Sequence, residues 1–491
     1  MRPKIELLRF KEYGKIAEIK QDVVSVTGMS NCMNGQMVQL GASTLGFIVG
    51  FDQDYVLVLK ANVGGNIKPG DPVISTIDDF KVPVGEAFIG RMVNSLGQPT
   101  DGGGVIRESA MSPIFNKART VLERVPLDEV LQTGTQIVDM LKPVGKGQRM
   151  LILGDRMTGK TTVGVDAILG QKGKNVLCVY CCVGKSEGSL KKVTDLFDEN
   201  DSWEYTTVLA STASDPIGQQ YLAPYVACSI GEYFMQEKGR DVLIVFDDLT
   251  KHAWAYRQIS LLLERAPGRD AYPGDIFYIH SQLVERAGKL KPELGGGSMT
   301  QLPIVETLQS DVAGYIPSNI VSMTDGQIFM SSGLFSEGFK PAIDMGLSVS
   351  RIGSKVQWPA MKAMTGMLQL DFVRYKELEK LTRLRAGVSG DVQLRLEQGR
   401  VLEEVLKQDQ NRPMELEEQI IRLYALRNGL FKDTNPVDVR DLLNKFVAQV
   451  MRDAADVVAA LVKETRLTDE IKEGLDEQLR LFSNTVIQNK N

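Results

Sequence analysis

The stretch GDRMTGKTT, residues 154 to 162, follows the apolar run QRMLILG and leads into a helix-length segment. Strand, glycine loop and helix in that order restrict this part of the chain to an α/β domain. Gly154, Gly159, Lys160 and Thr161 fit the spacing G-x-x-x-x-G-K-[ST] of a phosphate-binding loop. Backbone N–H groups of such a loop and the positive end of the following helix hold phosphate oxygens, Lys160 bridges the terminal ones, and the Thr161 hydroxyl coordinates Mg²⁺. Gly154, Asp155, Arg156, Met157, Thr158, Gly159, Lys160, Thr161 and Thr162 are therefore the candidate phosphate contacts. The competing reading is a glycine-rich turn without a ligand. Against it stands DVLIVFDD, which puts Asp247 at the end of an apolar strand, where a carboxylate holds magnesium through water. Asp247 alone could be a turn former; loop and carboxylate together point to Mg-ATP.

At 491 residues the chain exceeds one ordinary core and calls for two or three domains. With 43% hydrophobic and 24% charged residues it has a globular composition. A net charge of -5 argues against a chain whose main task is neutralising nucleic-acid phosphates. No apolar run approaches the ~20 residues that cross a bilayer, and the start, MRPKIELLRFKEYGK, lacks the apolar core of a secretion signal. The expectation is a chain that stays where it is made. Five cysteines fit a reducing compartment with free thiols. Cys178 and Cys181 are spaced C-x-x-C, but within a buried-strand pattern and with no second ligand pair nearby, so they read as core thiols. His252 and His280 are the only histidines and read as structural or surface residues.

Residues 10 to 78 show short alternating runs broken by glycine, the pattern of a small β-barrel, with no basic or aromatic stripe for oligonucleotides. From about 79 to 357, apolar strand runs alternate with helix-length segments, implying a largely parallel α/β sheet. Within it, ELGGGSMTQLP reads as a flexible loop. From 358 helical periodicity takes over. Val439, Leu442, Leu443, Phe446 and Val450 share a face behind Asn435 as N-cap and Pro436 at the first helical position. Further faces are Ile420, Leu423 and Tyr424, and Ile471, Leu475, Leu479 and Phe482. The domains expected are thus 1–78, barrel; 79–357, P-loop nucleotide-binding domain with a RecA-like α/β core; and 358–491, α-helical bundle.

Five stretches carry a family resemblance: VPVGEAFIGRMVNSLGQPTDG, GDRMTGKTT, AYRQISLLLERAPGRDAYPGDIFYIHSQLVERA, PIVETLQSDVAGYIPSNIVSMTDGQIF and PAIDMGLSVSRIGS. Through them the chain resembles, over nearly its whole length, the α subunits of F-type ATP synthases. The resemblance implies three copies alternating with three catalytic β-type subunits around a central-stalk rotor, coupling H⁺ or Na⁺ flow through a membrane sector to ATP synthesis or hydrolysis. It implies a peripheral position at the cytoplasmic face of the cell membrane, with membrane contact only through the ion-translocating sector and no nucleic-acid partner. The chain's own ATP or ADP, with Mg²⁺, is then a non-catalytic ligand.

Binding phosphate is not hydrolysis, which needs a group that positions water. In catalytic relatives the strand after the loop ends in glycine followed by glutamate; here Gly184 is followed by Lys185, where α chains usually have glutamine. A protonated lysine accepts no hydrogen bond from a water nucleophile. Lys185 therefore either attracts phosphate oxygens or is a solvated loop charge, and Glu187, two residues on, is the nearest carboxylate that could reach in. Arg351, in GLSVSRIGS, resembles the arginine that α subunits project to the nucleotide of the catalytic neighbour, a role suited to a fixed guanidinium. Ser348 matches a serine linked to activity, which would set the finger's backbone and interface packing. For the base, the resemblance points to Phe335, Gln408 and Gln410. Related chains have arginine at the position of Lys340 and glutamine at that of Met157, which implies looser contacts here.

Two regions depart further. The segment before YGKIAEI is shorter than the arm that meets the peripheral stalk, so that contact is expected to be reduced or remade. Segment 372–399 is longer and more charged than its rotor-facing counterpart, and reads as a solvated helical hairpin rather than a modified rotor contact. The rival assignments are a self-sufficient homohexameric motor ATPase of the secretion type, an RNA-translocating ring, and a ring subunit recruited to another machine.

Overall fold

The computed structural model describes residues 11–382, 390–431 and 434–490. Most of the segment before Tyr13, and residues 383–389 of the charged segment, lie outside the described residues. Contacts divide the chain into two compact units: residues 1–126, 172–306 and 311–324, and residues 127–171, 307–310 and 325–491.

The first unit begins with a closed six-stranded barrel, running in space Lys11–Lys20, Val23–Thr27, Val56–Lys60, Thr44–Phe51, Gln36–Leu40, Pro72–Asp79. Alternation builds it: Val24, Val26, Val38, Leu40, Ile48, Val58 and Val73 meet in the barrel core. Each buried aliphatic side chain of this size contributes roughly 1.5–3 kcal/mol, and closure leaves no strand edge exposed.

The same unit carries a parallel sheet in the order Ser298–Glu306, Asp241–Asp247, Val176–Lys185, Thr206–Thr212, Met92–Val93. Val176–Lys185 has neighbours on both sides and is buried along its first eight residues, so it reads as a continuous apolar run rather than an alternating one. Cys178, Cys181 and Cys182 lie inside it as buried free thiols, and burial pushes the Cys182 thiol up to about 12. Cys228 is likewise buried, and Cys32, in the barrel, is half-buried. His252 and His280 are fully buried with ring centroids 5.6 Å apart, beside Tyr221 and Tyr225. One sequence expectation fails here. The stretch ELGGGSMTQLP is not a loop throughout: Ser298–Glu306 is a strand buried over eight of its nine residues. Three glycines precede it and mask its pattern.

In the second unit Met150–Gly154 pairs in parallel with Gly326–Met330, which pairs antiparallel with Ile343–Ser350. Among the described residues after Trp358 every regular element is a helix. The Asn435 side chain accepts from Val437 N–H at 3.2 Å and Pro436 opens the helix Pro436–Asp453, as the sequence predicts. Its face buries Val439, Leu443, Phe446 and Val450, while Leu442 is half-buried. Ile420, Leu423 and Tyr424, and Ile471, Leu475, Leu479 and Phe482, are all buried. The charged segment forms parts of the helices Leu368–Thr382 and Gly390–Leu406, tied by Tyr375 Oη and Lys376 Nζ to the Glu403 carboxylate at 3.0 and 2.7 Å. The architecture is an N-terminal β-barrel followed by α/β structure and a C-terminal run of helices.

Candidate functional site

The phosphate loop lies in the second unit between Met150–Gly154 and the helix Lys160–Leu169. Gly154 is required by close approach, because a Cβ there would come within 2.4 Å of the Met330 carbonyl oxygen. The Lys160 ammonium is buried and donates to the carbonyls of Gly154 and Asp155 at 2.9 and 2.6 Å, which fixes it over the loop. Asp155 is a loop brace. Its carboxylate accepts from Thr307 Oγ1 at 2.7 Å and from Ser310 N–H and Oγ at 2.8 and 2.9 Å. Burial raises its pKa, but these donors outweigh burial and hold the carboxyl below its usual range. Thr158 is buried and donates to Asp155 O at 2.8 Å, whereas Arg156 and Met157 are exposed at the outer turn.

The structure brings six of the twelve expected nucleotide contacts together around one cavity, and Gly154, Asp155, Arg156, Met157, Lys160 and Thr161 are not among its lining residues. A cavity of about 410 Å³ is lined by Thr158, Gly159 and Thr162 from the loop region and by Phe335, Gln408 and Gln410. That volume is in the range of small-molecule sites. Lys340 also lines it, with Nζ 4.7 Å from the Phe335 ring centroid. The two glutamines differ. Gln408 is buried, accepts from Gln136 N–H at 2.8 Å, and donates to the Gly134 and Arg412 carbonyls at 2.7 and 2.9 Å, so its amide is committed to the chain's own backbone. Gln410 is exposed and lines the same cavity. Sequence reasoning missed Asp166, which also lines this cavity; burial pushes its carboxyl up to about 7 against the N–H of Asn411, donated at 2.9 Å. A carboxylate on a helix otherwise flanked by apolar residues was the available signal.

In the first unit, the strand Val176–Lys185 ends in a kink at Gly184, whose φ of 62° is left-handed. Register pairs Cys182 with Asp247 on the neighbouring strand. Past the kink, the Lys185 ammonium turns back to ion-pair with one oxygen of the Asp247 carboxylate, and Tyr180 Oη donates to the other at 2.8 Å. Asp247 is 0% exposed and the Lys185 side chain 19%. Lys185 is therefore not a solvated loop charge. Burial, then the adjacent Asp247 charge, push Asp248 up to about 7, and its carboxylate caps the helix Leu249–Leu262 by accepting from Lys251 N–H at 2.8 Å. Glu187 is exposed and accepts from Ser214 Oγ at 3.1 Å. Asp247 fits a magnesium water shell poorly, because both of its oxygens are engaged and buried.

Arg351 follows the strand Ile343–Ser350, with its side chain exposed and its N–H donating to Asp325 O at 2.8 Å. Asp325 is itself clamped by Arg149 through Nε at 2.9 Å and Nη2 at 2.6 Å. Ser348 sits in a bulge, because register slips between Gln327 and Phe329. Its hydroxyl is buried, accepts the Phe329 N–H at 2.9 Å and donates to Asp344 O at 2.5 Å, replacing ladder bonds that the bulge removes. The Arg149–Asp325 clamp was not foreseen from sequence; its partners are 176 positions apart.

Family models for the ATP synthase alpha/beta family match this chain three times: the beta-barrel domain at residues 10–76, the nucleotide-binding domain at 134–350 and the C-terminal domain at 357–482. The ATP synthase subunit alpha of Clostridium botulinum (strain Eklund 17B / Type B) is 45% identical over 476 residues, covering 97% of this chain and 94% of the relative. The chain belongs to the ATP synthase alpha-subunit family. The alpha subunit of Petrotoga mobilis is 43% identical over 479 residues, covering 96% of this chain and 95% of its own length. That of Clostridium acetobutylicum is 44% identical, with 96% and 93% covered. Membership makes this an ATP synthase chain carrying the family's nucleotide-binding domain, part of the ATPase complex. No helix among the described residues is long and apolar enough to cross a membrane.

Proposed function

We propose that this chain is the α-type member of a rotary ATP synthase ring, with a nucleotide site that binds without hydrolysing and an arginine that serves the neighbouring site. The division into 1–78, 79–357 and 358–491 follows from that reading. The observation that carries it is the end of the strand Val176–Lys185: a lysine ion-paired to Asp247 follows Gly184, at the sequence position where catalytic relatives have the water-positioning glutamate, and Glu187 is turned to Ser214. ATP or ADP occupies the cavity beside the phosphate loop, with Lys160 on the terminal phosphates, Thr161 as the hydroxyl that would hold Mg²⁺, and Phe335 and Gln410 at the base. Magnesium there would neutralise phosphate charge. Gln408 holds the wall of the cavity through its backbone contacts.

Arg351 supplies the arginine finger in trans. Its exposed guanidinium and a backbone tied to the Arg149–Asp325 clamp suit a group that must reach another chain at a fixed height. Ser348 keeps the bulge in shape and so positions the finger. The partners are three catalytic β-type subunits in a 3:3 ring, the central-stalk rotor and a peripheral-stalk subunit. The chain is peripheral to the cytoplasmic face of the membrane.

The test is a reconstituted ring with a β-type partner. Arg351→Ala should lower ATP turnover by about 10³-fold or more, while Lys160→Ala removes nucleotide from this chain and leaves most turnover. Equal losses would defeat the division of labour, and steady ATP turnover by the purified chain alone would favour the self-sufficient homohexamer.

A further inference from the structure

We propose that Asp166, with Thr135 in the same cavity wall, selects 6-aminopurine nucleotides: its free carboxylate oxygen accepts from the amine that adenine carries at that position and hypoxanthine and guanine lack. The proposal rests on the nucleotide-site reading above.

Asp166 is 6% exposed and lines the cavity beside the phosphate loop. It lies on the helix Lys160–Leu169, four residues past Thr162 and three past Val163, so the three share the helix face turned to that cavity. Along the helix axis it stands roughly 10 Å beyond Gly159, on the side that the base reaches when the phosphates are held at the loop. Its Oδ1 accepts the Asn411 N–H at 2.9 Å, and its Oδ2 has no partner among the described residues. Thr135 is buried and lines the same cavity, and its Oγ1 also has no partner among the described residues. Buried polar atoms without partners are disfavoured, and a ligand that pairs both recovers the loss.

The cavity's charges decide what that oxygen meets. Arg440 is ion-paired to Asp409, Lys407 to Glu404 at 2.5 Å, and Lys340 lies against the Phe335 ring. Among the described residues Asp166 has no ion pair of its own. Its charge therefore repels phosphate and favours a hydrogen-bond donor. A carboxylate oxygen only accepts, whereas a threonine hydroxyl donates as well. Together they match an amine next to a ring nitrogen, the pattern of adenine; a 6-carbonyl would set acceptor against acceptor. With one oxygen taken by Asn411, a two-pronged grip on a pair of ribose hydroxyls is not available.

The full-length chain is titrated by calorimetry with ATP, with the triphosphate of the 6-unsubstituted purine riboside, and with inosine triphosphate, ITP. Mg²⁺ is present, and pH 8 keeps a carboxyl that titrates at about 7 ionised. The wild type is expected to bind ATP about 30-fold tighter than ITP, with the unsubstituted purine between them and 2′-deoxy-ATP equal to ATP. Asp166→Asn keeps an oxygen for Asn411 and turns an amide N–H to the cavity. Its ATP preference should fall to within about threefold or reverse in favour of ITP, a change that losing a merely structural carboxylate does not produce. An unchanged ATP-to-ITP ratio in Asp166→Asn would overturn the proposal while leaving the nucleotide site intact. Weakening of 2′-deoxy-ATP by about tenfold in the wild type alone would place the ribose at the carboxylate and overturn it too. Where the variant does not fold, the wild-type order decides: any order other than ATP, unsubstituted purine, ITP defeats the proposal. Failure of the wild type to bind any of the three would remove the nucleotide reading itself.

Discussion

Two lysines, one opening the helix Lys160–Leu169 and one ending the buried strand Val176–Lys185, are used in different ways. Lys160 is cradled by the carbonyl oxygens of Gly154 and Asp155, which carry partial charges; Lys185 is held by the Asp247 carboxylate, which carries a formal one. Removing a cation from carbonyls leaves oxygens that the backbone still braces, but removing it from a buried carboxylate strands a charge. The same residue type is therefore held by neutral backbone carbonyls in one unit and by a buried carboxylate in the other.

The largest expected effect tests that contrast directly. Lys185→Met should destabilise the chain by about 3–5 kcal/mol, read by denaturant unfolding, because Asp247 loses its partner; Asp247→Asn in the same background should recover part of the loss. A Lys185→Met chain as stable as wild type would end the comparison. Next, Lys160→Gln should weaken ATP binding by about 2–4 kcal/mol while costing no more than ~1 kcal/mol of stability; a reversed ranking, stability lost and affinity kept, would show that both lysines are structural. A neutral reference comes from Ser348→Ala, which leaves the Phe329 N–H without its side-chain acceptor and should cost about 1–3 kcal/mol by the same unfolding measurement. In the assembled ring it should also lower turnover, and Ser348→Thr should restore part of it.

The pH dependence runs in opposite directions in the two units. Burial lowers the pKa of His252 from 6.5 to about 4 and that of His280 to about 3. Stability from this pair is complete above pH 6.5 and is lost as pH falls below it, since the unfolded state takes up protons first. In the other unit, Asp166 is raised from 3.8 to about 7, so its contribution is greatest below pH 3.8 and is lost as pH rises towards 7. Asp166→Asn should therefore gain on wild type between those values in pH-resolved unfolding. A constant difference across that range would remove Asp166 from the account.

What the sequence made legible was local. Strand, loop and helix around Lys160, the Asn435 cap, and the apolar stripes at Ile420, Val439 and Ile471 are all encoded within a few residues, and the structure reproduces them. What it hid were pairings that depend on register. Lys185 and Asp247 sit 62 positions apart in sequence and meet only because Cys182 aligns with Asp247 and Gly184 turns the strand. The Arg149–Asp325 clamp and the alignment of Phe329 with the Ser348 bulge are hidden for the same reason. The strand Ser298–Glu306 was obscured differently, by three glycines that imitate a linker immediately before it. Gln408 shows the limit of residue-by-residue resemblance: its position lines the cavity, but its amide serves the backbone.

The distribution of thiols has a practical consequence. Four of the five cysteines are buried, three of them in one strand; burial raises the pKa of all five thiols, Cys32 included, but Cys32 in the barrel is only half-buried and so is the accessible one. A maleimide dye applied to the native chain should therefore mark the barrel alone. Each copy would then carry one fluorescent reporter at a known place without an engineered cysteine.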